Sequence, residues 1–185
     1  MEITLLSQNA LRIKGKKSIL LVDVLDTQKT EANAYLYLQQ DVLQVKKDKN
    51  ALFISGPGEY EVSGTKIAAF RNNDDILYQL TIDGMKVFLA SSDAFVRMKD
   101  KVDEQNIVLL FTNELIDQSA LTNAQPTVVV CYGDKALEVS KNLGKGLNKK
   151  EGEAETNPDA TIKSVDKFVM SVEKLPAELQ VVLLG

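Results

Sequence analysis

The side chains that could carry out chemistry in this chain are carboxylates, hydroxyls and one thiol, because its 185 residues include no histidine. Imidazole is the most common zinc ligand and the side chain that titrates nearest neutral pH. Its absence removes the usual zinc site and the usual general base. A hydrolytic site would therefore depend on oxygen ligands, or on a serine or cysteine activated by another group.

Four aspartates are the candidates for an oxygen-only site, of the kind that holds Mg²⁺ or Ca²⁺. They are Asp23, Asp26, Asp93 and Asp134. Acidic residues beside strands more often close turns or cap helices than bind metal. We predict that Asp23 closes a turn and that Asp134 caps the helix that follows it.

The other candidates carry weaker signals. Cys131 lies in an apolar run and no histidine is present to activate it, which predicts a buried structural thiol. Ser91 and Ser92 follow a predicted strand, and this position favours a turn and a helix cap. Glu59 and Glu61 share one face of a short strand, but no second motif converges on them, so we predict a solvated edge.

Composition sets the class of protein. Hydrophobic residues make up 44% and charged residues 26%, the averages of a soluble globular domain, so we predict one domain over residues 1–185. A net charge of -4 gives no basic surface and excludes nucleic acid as a partner. No apolar run reaches the roughly 20 residues of a membrane helix, and no signal peptide is apparent. We predict a cytoplasmic protein with no membrane contact.

The first half of the chain has the pattern of a β-meander, in which short apolar and β-branched segments alternate with turns. Strands are predicted over 2–6, 10–14, 18–24, 34–38, 42–45, 51–54, 59–62, 66–70, 76–82 and 85–90. Asp83-Gly84 predicts a two-residue hairpin turn. Gly56-Pro57-Gly58 and Ser63-Gly64 predict sharp turns.

After Ser91 the apolar period becomes helical, with Ser92 or Asp93 as the predicted N-cap. The remaining predicted elements are a strand at 107–111, a helix at 117–124, a strand at 127–132, a helix at 135–143, a loop at 145–158, and strands at 167–172 and 179–184. A meander followed by strand and helix alternation predicts a mixed α/β protein with two packed sheets covered by helices.

Several segments resemble the small, Zn-dependent metallo-β-lactamase-fold hydrolases of bacteria. They are residues 1–6 with 11–13 and 22–23, then 78–87, 165–168, 174–176 and 180–184, and above all the motif Gly56-Pro57-Gly58-Glu59-Tyr60-Glu61-Val62-Ser63-Gly64. The resemblance covers nearly the whole chain. It implies an α/β fold in the form of a four-layer αββα sandwich.

The same resemblance implies that every metal ligand of that family is replaced here. Gln8 stands where the family has its first histidine, Ser92 where it has the bridging aspartate, and Gly133 where it has the final histidine. The stretch that should hold a His-x-His-x-Asp-His motif is shortened and contains 34–41, and the histidine-bearing loop after it is reduced to 71–75. We therefore expect neither a metal nor another cofactor.

These observations predict a catalytically inactive, metal-free protein with a protein-binding or assembly role. Its partner would be a second copy or another protein, such as an active member of the same fold. The alternative is a residual metal-dependent hydrolase, or a small-ligand-binding protein, that uses the carboxylates of the old active site. We call the candidate contact positions the rim; they are Gln8, Asp23, Ser92, Asp93, Gly133 and Asp134.

Overall fold

A computed structural model describes residues 1–25, 31–39, 50–144 and 164–185. Asp26, the predicted strand 42–45 and the predicted loop 145–158 lie outside these ranges. In chain order the described strands are β1 (Glu2–Ser7), β2 (Ala10–Lys14), β3 (Ile19–Val22), β4 (Ala34–Leu36), β5 (Leu52–Ile54), β6 (Gly58–Val62), β7 (Thr65–Asn72), β8 (Asp75–Ile82), β9 (Met85–Ser91), β10 (Ile107–Phe111), β11 (Val128–Tyr132), β12 (Ser164–Val165), β13 (Lys167–Val169) and β14 (Gln180–Leu184).

The strands form two sheets that pack face to face. Sheet A has the order β13-β1-β2-β3-β4-β5, and sheet B has the order β12-β14-β11-β10-β9-β8-β7-β6. The meander strands β6 to β9 pair antiparallel, whereas β9, β10, β11 and β14 are parallel neighbours. The carboxyl ends of β9, β10 and β11 therefore lie together at the same end of sheet B.

Alternation along the strands places one apolar face of each sheet in a shared core. Ile3 and Leu11 of sheet A face Leu80 and Leu109 of sheet B, all fully buried. Strands β10 and β11 are apolar at every position because helices cover their second face.

The described helices are α1 (Ser92–Met98) and α2 (Ala136–Gly144). Both pack on the outer face of sheet B, where Phe95, Val139 and Leu143 are fully buried. The outer face of sheet A at β1, β2 and β13 instead carries charged side chains, and no helix of the described ranges covers it. The mixed α/β sandwich is confirmed. No helix in the described part of the chain is long and apolar enough to cross a membrane.

Several strand and helix ends differ from the predictions by one or two residues, and three further features differ in kind or in their cap. The N-cap of α1 is Ser91 rather than Ser92 or Asp93. The predicted helix at 117–124 is one 3-10 turn, Gln118–Leu121, because the Asp117 side chain accepts from the Ser119 N–H and caps a single turn. The strand predicted at 167–172 ends at Val169 and is followed by a 3-10 turn, Val172–Lys174.

One buried hydroxyl joins the two sheets inside the core. The Tyr78 hydroxyl of β8 lies 2.7 Å from the carbonyl oxygen of Tyr37 and 2.9 Å from that of Ile54, and it accepts from the Tyr37 N–H at 3.1 Å. Ile54 ends β5 and Tyr37 directly follows β4, both strands of sheet A, and Tyr78 is fully buried. A buried polar group without these partners would carry its full desolvation cost. The sheets are therefore held in one relative position at this end.

We expect Tyr78→Phe to lower the free energy of unfolding by about 1–3 kcal/mol, because it removes the buried hydroxyl that contacts the carbonyls of Tyr37 and Ile54. Urea denaturation of both proteins measures this difference. Tyr60→Phe is the matched control, since the Tyr60 hydroxyl has only contacts of 3.5 Å, and it should change stability by less than about 0.5 kcal/mol. Equal stability of the two variants would contradict this role of Tyr78.

Candidate functional site

Gln8 and Asp134 of the rim are in direct contact across the two sheets. Gln8 follows β1 of sheet A, Asp134 follows β11 of sheet B, and both side chains are exposed. The Gln8 Nε2 group donates a short hydrogen bond to Asp134 Oδ1. Gln8, which the resemblance aligned with the first histidine of the family, thus links the two sheets through a carboxylate.

Ser92 is fully buried and serves as a structural tie. Its Oγ lies 2.9 Å from Asn113 Oδ1 and 2.8 Å from the carbonyl of Glu114, and it accepts from the Glu114 N–H at 2.8 Å. These contacts fix the loop after β10 against the start of α1. A hydroxyl enclosed in this way has no free face for a metal or a substrate.

Asp93 is held by two donors. Asn113 Nδ2 donates to its Oδ1 at 2.8 Å, and Arg97 Nη1 donates to its Oδ2 at 2.8 Å. Partial burial raises the pKa of Asp93, but these hydrogen bonds outweigh it and lower the pKa to about 2. Arg97 also forms a short ion pair with Asp75. Asp93 is therefore an ionised carboxylate with its charge already compensated.

Gly133 has no space for a side chain. Its φ of +99° is in the region that favours glycine, and a Cβ atom there would lie 2.7 Å from the Phe111 ring. The Phe111 ring in turn packs against Tyr132, with centroids 5.6 Å apart. Aromatic side chains thus fill the position where the family has its final histidine.

The end of β4 closes this side of the sandwich. Leu38 is buried in the core, and its carbonyl accepts from the Ile76 N–H of β8 at 2.8 Å. Gln39 forms an isolated bridge with Asp75. The part of the stretch that should hold the family's main histidine motif therefore crosses from sheet A to sheet B.

The chain turns at Asp23, directly after β3, as predicted. The φ of Asp23 is 51°. Its Oδ1 accepts from the Leu38 N–H at 2.9 Å. Burial raises the pKa of Asp23 to about 6, although this hydrogen bond lowers it in part. With a pKa of about 6, Asp23 is mainly ionised at physiological pH and becomes neutral as the pH falls below 6.

Besides Tyr78, two tyrosine hydroxyls lie within electrostatic range of Asp23. Burial, and to a smaller extent the charge of Asp23, raises the pKa of Tyr132 strongly, and burial together with Tyr35 and Asp23 raises the pKa of Tyr37 to about 12. Both hydroxyls are buried, and neither has a hydrogen-bond partner among the described residues.

The rim residues do not form one donor set. Gln8 pairs with Asp134, whereas Ser92 and Asp93 share Asn113, a residue for which the sequence carried no spacing signal. In the ranges that the structure describes, no group of three or more His, Cys, Asp or Glu side chains is placed to hold a metal ion. These residues do not fit the zinc ions of the family. Asp26, the remaining candidate, lies outside the described ranges.

The comparisons with known proteins identify the fold. No protein-family model matches the sequence, and no curated protein matches it significantly. A solved structure from Thermotoga maritima, described as a Zn-dependent hydrolase of the metallo-β-lactamase superfamily, is similar with a TM-score of 0.66 and 16% identity, over 100% of this chain and 98% of that one.

Two further structures agree. A protein from Parabacteroides distasonis, described as a metal-dependent hydrolase, is similar with a TM-score of 0.52 and 16% identity over 78% of this chain and 88% of that one. CmlA, a diiron β-hydroxylase from Streptomyces venezuelae, has a TM-score of 0.50 and 9% identity over 75% of this chain and 45% of its own. At these identities the likeness establishes the fold alone. The chain has the metallo-β-lactamase fold, as the resemblance of its motifs implied.

We expect Asp23→Asn to stabilise the protein at pH 7.5 and to leave it nearly unchanged at pH 4. In the folded protein the pKa of Asp23 is raised from 3.8 to about 6. The contribution of Asp23 to the free energy of unfolding is therefore most favourable at low pH and falls as the pH rises from 4 through 6. The difference at pH 7.5 is at most about 3 kcal/mol. Asparagine tolerates the positive φ and keeps the bond to Leu38. Urea denaturation across this pH range provides the measurement.

Asp93→Asn is a control for which we expect the opposite change in stability. The pKa of Asp93 is lowered to about 2, so its contribution to stability is present above pH 4 and is lost as the pH falls towards 2. This variant should be less stable than the parent protein at pH 7.5. A pH profile of Asp23→Asn that parallels that of the parent would show that burial does not control this carboxylate.

Proposed function

We propose that this protein is a metal-free, non-enzymatic member of the metallo-β-lactamase fold and that it acts by binding another protein. The observation that supports this proposal is that the rim side chains form contacts within the chain. The side chains of Gln8, Ser92, Asp93 and Asp134 bind other groups of the same chain, and at Gly133 the Phe111 ring occupies the space of a side chain.

The chemistry of hydrolysis supports the same view. A bound metal lowers the pKa of a water molecule from about 15.7 to about 7, and that is how this type of site makes hydroxide at neutral pH. No described rim residue supplies an equivalent. Cys131 is buried and its pKa is raised to about 12, so it remains a thiol. Ser92 is enclosed by acceptors, and no base lies among its contacts.

A binding role is consistent with a sandwich that is intact although the residues at its rim are not those of a metal site. The sandwich keeps its core and both sheets, and the rim adds links between them. A rigid surface of this kind is what recognition of a protein partner requires. We propose that the partner is a second protein, with self-association as the other arrangement; the suggestion of an active relative as partner rests on analogy with the fold alone.

One purification tests this proposal. The protein carries an affinity tag, is isolated without chelator from the cells in which it naturally occurs, and is analysed for native mass and for metal content. We expect a complex heavier than the 20.4 kDa chain and less than about 0.1 zinc, manganese or iron per chain. EDTA should not change the melting temperature.

Untagged cells processed in parallel control for nonspecific capture. A lone monomer without any associated protein would remove the basis of the binding role. One or two metal ions per chain, whose removal lowers the melting temperature, would instead support the hydrolase alternative.

A further inference from the structure

Among the described residues, strand β6 is an edge strand of sheet B. It pairs antiparallel with β7, from Gly58 opposite Ala69 to Val62 opposite Thr65. No other strand in the described ranges pairs with it, and it is the last strand in the order of its sheet. The backbone N–H and C=O groups along a free edge can form a ladder with an added strand.

The outer face of this edge carries two unpaired carboxylates. Glu59 and Glu61 are exposed and lie two residues apart, so they project to the same face. Glu61 lies opposite Lys66 in register and Glu59 opposite the small Ala68. Among the described residues neither carboxylate takes part in an ion pair.

A groove of about 560 Å³ runs beside these carboxylates. It is lined by Glu59, Tyr60, Glu61, Lys66, Ile67, Ala68, Gln79 and Thr81. Helices α1 and α2 cover the other half of this outer face, and Ala68 is too small to fill the space between its longer neighbours. The groove therefore gives side chains of an added strand room beside the carboxylates.

The inner face of β6 is apolar. Tyr60 and Val62 alternate with the two glutamates, are half-buried, and pack against the core between the sheets. An added strand would place its own alternate side chains beside them. The edge thus presents charge on one face and apolar surface on the other.

The conformation of β6 is fixed before any partner binds. Gly58 has a φ of +152°, and a Cβ atom at this position would lie 2.9 Å from the Tyr60 hydroxyl. The tyrosine ring therefore folds back over the glycine, with its hydroxyl 3.5 Å from the carbonyls of Gly56 and Pro57. A fixed edge lowers the entropy cost of adding a strand. This arrangement gives the distinctive motif at 56–62 a structural purpose away from the rim.

A second copy of the same strand does not suit this edge. In a symmetric antiparallel pair centred on Tyr60, Glu59 would lie opposite Glu61 of the second copy, and the same repulsion would occur twice. Like charges that are directly opposite destabilise a sheet. Other registers that keep the apolar faces together also bring glutamates onto the same face. The charges therefore favour a different, basic sequence.

We propose that the β6 edge binds an extended segment of a partner protein that has Lys or Arg at two alternate positions and an apolar residue between them. The basic side chains lie beside Glu59 and Glu61, and the apolar one lies beside Tyr60. This inference rests on the proposed protein-binding function and names the surface and the partner's chemistry.

Two capped peptides test the surface with the full ¹⁵N-labelled chain. The probe is acetyl-Ser-Lys-Val-Lys-Val-Ser-amide, and the matched control has glutamate in place of both lysines. We expect the probe to shift amide signals of β6 and β7 and to bind at least about tenfold more tightly than the control, with weaker binding at high salt. Equal binding of both peptides, shifts confined to other surfaces, or no shifts at millimolar peptide would overturn the proposal.

The double variant Glu59→Lys, Glu61→Lys provides the complementary test. Both side chains are exposed, so the variant should keep the melting temperature of the parent within a few degrees. It should lose at least about tenfold in affinity for the lysine peptide and gain affinity for the glutamate peptide. An unchanged preference would overturn the assignment of these residues, and a Glu59→Gln, Glu61→Gln variant with intermediate affinity checks the result should the lysines perturb folding.

The same double variant separates this inference from the proposed function. In the tagged purification we expect it to lose the partner that the parent protein retains. If the variant keeps the partner, the β6 proposal fails and the binding function stands. If the parent protein itself has no partner, the proposed function fails whatever the peptides show.

Discussion

The fold depends on the placement of a few polar groups between two otherwise apolar sheets. At one end the buried Tyr78 hydroxyl contacts the backbone of Tyr37 and Ile54 in sheet A. At another point Ser18 Oγ and Thr65 Oγ1 lie 2.6 Å apart; Ser18 directly precedes β3 of sheet A, Thr65 lies in β7 of sheet B, and both are buried. Hydrophobic burial drives the sheets together without selecting a register, whereas a buried hydroxyl accepts few positions without loss. These contacts therefore determine how the sheets align.

Polar contacts also connect the strand ends at the rim. In a metalloenzyme of this fold a metal ion joins side chains from several strand ends, and here hydrogen bonds join them. Ser92 and Asn113 connect the ends of β9 and β10, and Gln8 reaches Asp134 from the opposite sheet. Arg97 then links Asp93 to Asp75 at the start of β8. The polar atoms of these described rim residues are thus engaged in hydrogen bonds within the chain.

Local signals in the sequence were sufficient for most of the fold. Asp83 and Gly84 both have positive φ, as the hairpin signal required, and the β10 strand has the predicted bounds. The N-cap of α1 was predicted at Ser92 or Asp93 and lies at Ser91. Serine and aspartate are both good caps, so only packing distinguishes these three positions. Tyr78 and Asn113 could not be found from spacing, since the partners of Tyr78 lie 41 and 24 residues away and Asn113 is a single polar residue after a buried strand.

The contrast between the rim and the β6 edge bears on function. Among the described residues the rim carboxylates accept hydrogen bonds within the chain, and Asp93 is neutralised by Arg97. Glu59 and Glu61 have no such partner in the described ranges and flank a groove. Strand addition requires an ordered backbone edge and complementary charge, and it requires no group that titrates near neutral pH. A chain without histidine can meet these requirements fully, so the composition that argues against hydrolysis is consistent with recognition through this edge.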